Sequence, residues 1–506
     1  MVDWGTDSYS HSFAHGPDTT NEFVDLSPVH SFLHVSHTCG IQLIIPKHEN
    51  VSSVWYLTAI APAYNKRHRF VAVALSSKKD TNCQMTCTKH VRSFVQPNGQ
   101  IFIPAAEVSV LLQKYQPWRL IEALSTLLMS LPYPHKKLFA GSADVKFKCL
   151  QTMDWKARVS ERVMMPENLT QFYIRGNWLR SAMLAHPFMI IGLERSDYEK
   201  MNILGDFFTE KARLNSRRRG FTCTPMELWI TSFNKIWLKR MLNSLTTNEV
   251  PVSIDSKLLR ETMASECMDR ACFVECSQFK LTVAVVMMRR FNATRVLDFC
   301  SGWGDRLLAA VACDVEYTGV DPNPDLCAGY AEIIQTLATE DQHKDEKFVM
   351  INAPFETAVL PSNKMYDFVF TGPPCYNCEV YSHPSNQSAL SDTPLDEWVK
   401  TRLFAWLLKA WDVLEVGGHM AINIADTSQC NAFVEAMNLY IQAELKGAQF
   451  VGVVASEMYT PRRIIPIWTW RKADIAASES CDAQATEAMC ELRMLYPHFC
   501  KKVNTV

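Results

Sequence analysis

The 506-residue chain has almost no net charge, −2 from 51 basic and 53 acidic residues. It therefore carries no global basic field, and any contact with a polyanion must come from a local cluster. Long hydrophobic runs are absent too. The longest apolar stretch, near Met183 to Leu193, contains His186 and is too short to span a bilayer. The first residues include Asp3 and Asp7 and almost no arginine, so neither a secretory signal nor a transit peptide is expected. The expected location is intracellular, cytoplasm or nucleus. The 17 cysteines are scattered and odd in number, which reads as free thiols in a reducing compartment. Cys83 and Cys87, with His90 nearby, and Cys375 and Cys378 have zinc-like spacing. A structural zinc site needs four ligands, and these pairs fall in different predicted domains, so no metal is expected.

What remains is the composition of a folded protein, 48% hydrophobic and 21% charged, too long for a single core. No internal repeat is found. Residues 1 to about 30 are rich in Ser, His, Asp and Thr and read as a loose tail. Short apolar runs follow at Ile41 to Ile45, Val54 to Ile60, Phe70 to Leu75 and Gln100 to Ile103. Turn formers at Pro46 to Asn50, Ser76 to Asp80 and Pro97 to Gly99 separate them, a strand pattern. Helical spacing takes over from Val108 to Leu131. Residues 1–170 are thus expected to form an α+β domain. Residues 171–265 are expected to be helical, with Glu199 to Arg213 one helix. Arg217, Arg218 and Arg219 follow it, a cluster that suits phosphates or, equally, a solvated helix end.

From Thr294 the pattern alternates. Strands are predicted at Arg295 to Phe299, Val315 to Val320, Phe348 to Asn352, Tyr366 to Thr371 and His419 to Ile424. Helices are predicted at Arg306 to Val311, Asp325 to Leu337 and Trp398 to Leu414, the last with Phe404, Leu407, Leu408 and Trp411 facing inward. Such alternation means a parallel sheet covered by helices, an α/β domain over 266–475, with 476–506 as a tail.

The chemistry-bearing residues sit at the predicted strand ends. Asp298 closes the first strand and precedes Gly302 and Gly304, giving D-x-x-x-G-x-G at a strand-to-helix turn. The second strand ends in Asp321, 17 residues beyond Gly304, where an acid accepts hydrogen bonds from both ribose hydroxyls of a nucleoside. Dinucleotide and S-adenosylmethionine are the competing ligands, against a bland alternative of two loop glycines in an unrelated α/β protein. The dinucleotide motif needs a third glycine, but Leu307 stands there. The acid before the glycines suits a cationic methionine moiety instead. Glu356, beside Phe355, follows the third strand and is the candidate adenine contact. Asp305 suits the cap of the next helix, and Asp426 could close the pocket. The fourth strand runs into Gly372, Pro373, Pro374, Cys375 and Tyr376, where the rigid Pro-Pro fixes the backbone beside the ligand.

These segments resemble nucleic-acid base amino-methyltransferases of the N6-adenine and N4-cytosine type, which have a Rossmann-like class I fold. The resemblance runs from about Tyr198 to Lys472. It is strongest at VLDFCSGWGDRLL (296–308), YTGVDP (317–322) and YDFVFTGPPCYNCEVY (366–381), with support from Phe279, Lys280 and PIWTWRK (466–472). It implies S-adenosylmethionine as cofactor and DNA or RNA as partner. Asp298, Gly302 and Gly304 would line the methionine and adenosine side, and Asp321 would hold the ribose. Gly372, Pro373, Pro374 and Tyr376 would form the catalytic loop. Tyr381, Trp468 and Trp470 could meet bases, although such aromatics are more often buried. The loop departs from the pattern (Asp/Asn/Ser)-Pro-Pro-(aromatic). Gly372 has no acceptor side chain, and Cys375 takes the aromatic place, with Tyr376 one position late. Three functions therefore stand: methylation of an exocyclic base nitrogen, an inactive homologue acting as a nucleic-acid-binding or scaffold subunit with a protein partner, and methylation of a protein amide.

Overall fold

The computed structural model describes residues 31–32, 44–45, 55–60, 67–72, 78–162, 188–231, 234–247, 252–268, 275–382, 387–388, 393–426, 433–458, 464–474, 487–491 and 494–495. The expected tail at 1–30 lies outside them. The central feature is a nine-stranded sheet. Its strands are β1 (Val159–Arg162), β2 (Phe188–Ile191), β3 (Arg295–Asp298), β4 (Glu316–Val320), β5 (Phe348–Ile351), β6 (Tyr366–Thr371), β7 (Leu414–Asn423), β8 (Ala448–Glu457) and β9 (Ile464–Lys472). The spatial order is β5-β4-β3-β6-β7-β9-β8-β2-β1. Strands β3 to β7 are mutually parallel, and β9 runs antiparallel to both β7 and β8. Counted from β3, the first seven strands read 3-2-1-4-5-7-6, the order of a Rossmann-like methyltransferase sheet. The predicted strands all form.

The order reverses between β3 and β6. Successive strands on either side of that point send their connections in opposite directions, which opens a crevice at their carboxyl ends. Two apolar clusters cover the faces of the sheet. One is built on Trp398, Leu407, Trp411 and Met437. The other rests on the helices Leu281–Arg290 and Asp305–Cys313, apolar around most of their circumference and buried for that reason.

The expected boundaries at 170 and 265 do not follow the packing. Strands β1 and β2 come from the first 191 residues and extend the same sheet at its β8 edge. A third cluster joins Leu111, Leu124 and Leu128 to Trp229, Trp237, Leu242 and Met263, so the expected α+β and helical regions share one core. The strands predicted near Val54 and Phe70 form as Trp55–Ile60 and Arg67–Ala72. The turn predicted at Ser76 to Asp80 instead opens a helix, Lys78–Arg92; among its described side chains Cys87 and Val91 alone are buried, too thin a stripe to read. The helix expected over Val108 to Leu131 is two, Ala105–Lys114 and Pro117–Leu128, because Pro117 cannot continue the first and starts the second.

The helix expected over Glu199 to Arg213 breaks into a π turn (Tyr198–Asn202), a 3₁₀ turn (Leu204–Phe207) and the short helix Glu210–Leu214. Leu408 does not face inward; it is 43% exposed. A π turn at Val399–Phe404 precedes its helix and rotates the register that a regular helix would have kept. The expected C-terminal tail is not wholly loose, since Ala488 is buried against the sheet cluster. No helix among the described residues is long and apolar enough to cross a membrane.

Candidate active site

The loop from β3 to the helix Asp305–Cys313 is shaped by glycine. Gly302 and Gly304 have φ of 56° and 83°, a region costly for other residues. A Cβ on Gly304 would lie 3.0 Å from Ile333 and 3.4 Å from Tyr330. The Tyr330 hydroxyl donates to the Gly302 carbonyl, and Thr209 Oγ1 donates to the Trp303 carbonyl at 2.8 Å. The broken segment 198–214 therefore clamps the loop from outside, which explains why it is not one continuous helix.

Asp298 is fully buried and does not line the cavity described below, contrary to the expected lining role. Arg306 Nε donates to its Oδ2 at 2.6 Å, and the Tyr317 hydroxyl donates to the same oxygen at 2.6 Å. Arg306 Nη2 also donates to the Cys300 carbonyl. The acid before the glycines thus acts beneath the loop, holding an arginine that braces it. Asp305 is the first helical residue, not the cap. That place falls to Gly304, and Asp305 accepts instead from Gln278 Nε2 at 3.1 Å. Burial, then the Asp206 charge, push its acid well above the carboxylate range.

Asp321 directly follows β4 and opens on the crevice. Its Oδ2 accepts from the Gly302 amide at 2.8 Å and its Oδ1 from the Asn323 amide at 3.0 Å. Each carboxylate oxygen has a second acceptor site, and the described residues supply no further donor to either. Burial lifts its pKa to about 6. The crevice is a cavity of about 590 Å³ lined by Gly302, Asp321, Phe355, Glu356, Pro373 and Pro374 among others, so it brings the two glycine- and proline-bearing loops together. Phe279 and Lys280 line it as well. Burial pushes the Lys280 ammonium down to about 8, and Phe279 carries the Arg306 guanidinium 5.2 Å over its ring.

At the Pro-Pro loop, Gly372, Pro373, Pro374 and Cys375 line the cavity, but Tyr376 does not. Tyr376 has φ 54°, which turns its ring back against Trp398 with centroids 5.7 Å apart. Its hydroxyl donates to the Thr393 carbonyl. The expected place of Tyr376 in the catalytic loop is thereby corrected: Cys375 takes the cavity-facing place. Gly372 does not use its freedom. A Cβ there would meet Arg306 Nη1 at 3.4 Å, the Asn423 carbonyl at 3.5 Å and Asn423 Oδ1 at 3.7 Å, all ordinary contacts.

Glu356 pairs with Arg402 at the cavity wall. The arginine cluster is not a helix end. Arg217–Arg218 is a short strand paired antiparallel with Glu379–Val380. Arg217 Nη1 donates to the Phe221 carbonyl at 2.8 Å within its own turn, and Arg219 Nε donates to the Asn377 carbonyl at 2.9 Å, which with the strand pairing ties down the segment after the Pro-Pro loop. Arg218 is exposed and lines the cavity. Tyr381 also lines it, edge-on to Trp303. Trp468 and Trp470 are buried, with indole N–H groups donating to the Ile424 carbonyl and Asn438 Oδ1, and do not line this cavity. Asp426 accepts from the Val434 amide at 3.2 Å and stands off the cavity. Among the described residues no group of acids, histidines and cysteines could hold a metal ion.

Sequence reasoning missed Lys136, Arg213 and Glu275, which line the far wall. They belong to a buried charge network. Lys136 and Arg213 each reach Asp206 at 2.6 Å, Arg213 reaches Glu275 at 2.7 Å, and Arg260 bridges Glu275 and Glu210 at 3.0 and 2.7 Å. Spacing carries no signal for partners this far apart in the chain. Arg306 had one: a cation directly after the glycine loop.

No family model and no curated protein sequence matches this chain. Solved structures do resemble it. TrmN from Thermus thermophilus is 16% identical with a TM-score of 0.27, over 38% of this chain and 49% of that one, about half its length. An rRNA methylase from Streptococcus thermophilus is 11% identical over 39% and 99%, TM-score 0.27. A Burkholderia thailandensis 1,6-didemethyltoxoflavin-N1-methyltransferase, solved with S-adenosylhomocysteine, is 14% identical over 38% and 78%, TM-score 0.27. The assignment to the Rossmann-like class rests on strand order and register, not on these likenesses.

Proposed function

We propose that the chain transfers a methyl group from S-adenosylmethionine to an exocyclic base nitrogen of DNA or RNA. The observation that carries this reading is the convergence of Asp321, the glycine loop and the Pro373–Pro374 loop on one cavity at the switch point of the sheet. The residues fit the cofactor. Asp321 has acceptor sites left for two hydroxyls, and Gly302 lets the backbone approach closely. Phe355 and Glu356 offer an apolar face and a polar edge for adenine. When bound, the cofactor would supply a sulfonium methyl for the amine nitrogen and keep the S–C electron pair, with the displaced amine proton released to solvent at the cavity mouth.

The chain's share is then positioning and electrostatics. The carbonyls and proline rings of the 372–374 loop orient the amine, and Phe299, Phe355 and Trp406 give the cavity an apolar side. Arg218 at the cavity wall would meet a phosphate. Labelled methyl transfer from S-adenosylmethionine to DNA and RNA oligonucleotides tests this directly, with incorporation into adenine or cytosine expected. A second reading, an inactive subunit, draws on Gly372 lacking a side chain and Tyr376 facing away. Cofactor binding with no transfer to any oligonucleotide would favour it, and transfer to a peptide amide would replace both.

A further inference from the structure

The loop lacks the side-chain acceptor that an amine needs, yet an acceptor stands beside the place where it would be. Asn423 is the last residue of β7, the strand next to β6, and it lines the cavity. Its Nδ2 donates to the Pro466 carbonyl at 3.3 Å, which fixes the sense of the carboxamide and turns Oδ1 the other way. Oδ1 accepts no hydrogen bond from the described residues and lies 3.7 Å from where a Cβ on Gly372 would be. A carboxyl or carboxamide at 372 would project its oxygen into this same niche. Arg306 Nη1 borders the niche too, 3.4 Å from the same point, while the other guanidinium nitrogens serve Asp298 and Cys300.

We infer that Asn423 Oδ1 is the acceptor for the target amine, supplied from the neighbouring strand in place of the missing side chain at 372. The pair of groups sets the substrate edge. An acceptor beside an N–H donor complements an amine next to a ring nitrogen, the shared edge of adenine and cytosine. The Arg306 charge is balanced by buried Asp298, so Nη1 acts there mainly as an oriented donor. Gly372 is then consistent with function: its missing side chain leaves the niche to Asn423. The assignment rests on the methyl-transfer reading and names the residue that recognises the amine.

The test uses the full chain loaded with S-adenosylhomocysteine and measures binding of nucleosides with and without the exocyclic amine, adenosine against purine riboside and cytidine against 4-deaminocytidine. One hydrogen bond of about 1 kcal/mol gives the amino nucleoside a preference of roughly fivefold. Asn423→Leu should abolish that preference with S-adenosylhomocysteine affinity unchanged, Asn423→Asp should keep it, and Gly372→Asn added to Asn423→Leu should restore it. Where transfer is measurable, Asn423→Leu should lower kcat by about 10²–10³. A preference that survives in Asn423→Leu, or is absent from the unmodified chain, overturns the assignment. So does loss of S-adenosylhomocysteine binding in both the Leu and Asp variants, since the side chain is then structural. An Asn423-dependent preference without any methyl transfer keeps the assignment and removes the enzyme reading.

Discussion

Arg306 Nε donates to Asp298 Oδ2 at 2.6 Å, and this buried pair sits directly beneath the glycine loop. Removing one partner of a buried ion pair leaves the other charge uncompensated. Asp298→Ala should therefore destabilise the fold by about 3–5 kcal/mol, measured by chemical denaturation. Asp298→Ala combined with Arg306→Met should recover part of the loss, because no lone charge remains. Equal stability of the single and double variants would remove the pair from this role.

Gly304 couples backbone strain to crowding. Its φ of 83° disfavours a side chain, and a methyl group 3.0 Å from Ile333 would require that side chain to give way by a few tenths of an ångström. Gly304→Ala should cost roughly 1–3 kcal/mol from the conformation alone, and it should also weaken cofactor binding. Gly417 has a similar φ of 87° with nothing within 4 Å. Its alanine variant should cost stability alone. Calorimetry on the two variants separates strain from damage to the loop.

Tyr376 is anchored away from the cavity by Trp398 and the Thr393 carbonyl. Tyr376→Phe should cost about 1 kcal/mol of stability and leave kcat within a small factor of the unmodified value. A hundredfold loss of transfer with the fold intact would show that the ring swings in during turnover.

The pH dependence follows from Asp321, raised by burial from its ordinary 3.8 to about 6. A raised acid favours the folded state while protonated. That stability is complete below about pH 4 and is lost as pH rises through about 6. Cofactor binding runs the other way, because accepting ribose hydroxyls requires the carboxylate. Affinity should be flat above pH 7 and fall below pH 6, by up to about tenfold per unit. Asp321→Asn should flatten the profile in both the affinity and the stability titration.

The sheet was legible because its strands are short apolar runs ending in chemistry-bearing residues: Asp298, Asp321 and the Gly372 turn each mark a carboxyl end. Of those marks Asp321 and Gly372 line the cavity, whereas Asp298 does not. The catalytic side was not legible, because one inserted residue changes which side chain faces the cavity, and a one-place shift at Cys375 and Tyr376 cannot be resolved without the backbone. Arg219 read as part of a phosphate cluster or a solvated helix end, yet its guanidinium donates to the Asn377 carbonyl, 158 residues away in the chain, which no local pattern encodes. The edge strands β1 and β2 were missed for a similar reason: β2 joins the sheet through β8, more than 250 residues further on, and β1 joins only by pairing with β2.

The most direct test of the central claim is calorimetry of S-adenosylmethionine binding to the full chain and to Asp321→Ala. Micromolar binding that is lost in the variant is the expected result and establishes the cavity as the cofactor site. No binding at millimolar cofactor, or binding untouched by Asp321→Ala, would contradict it.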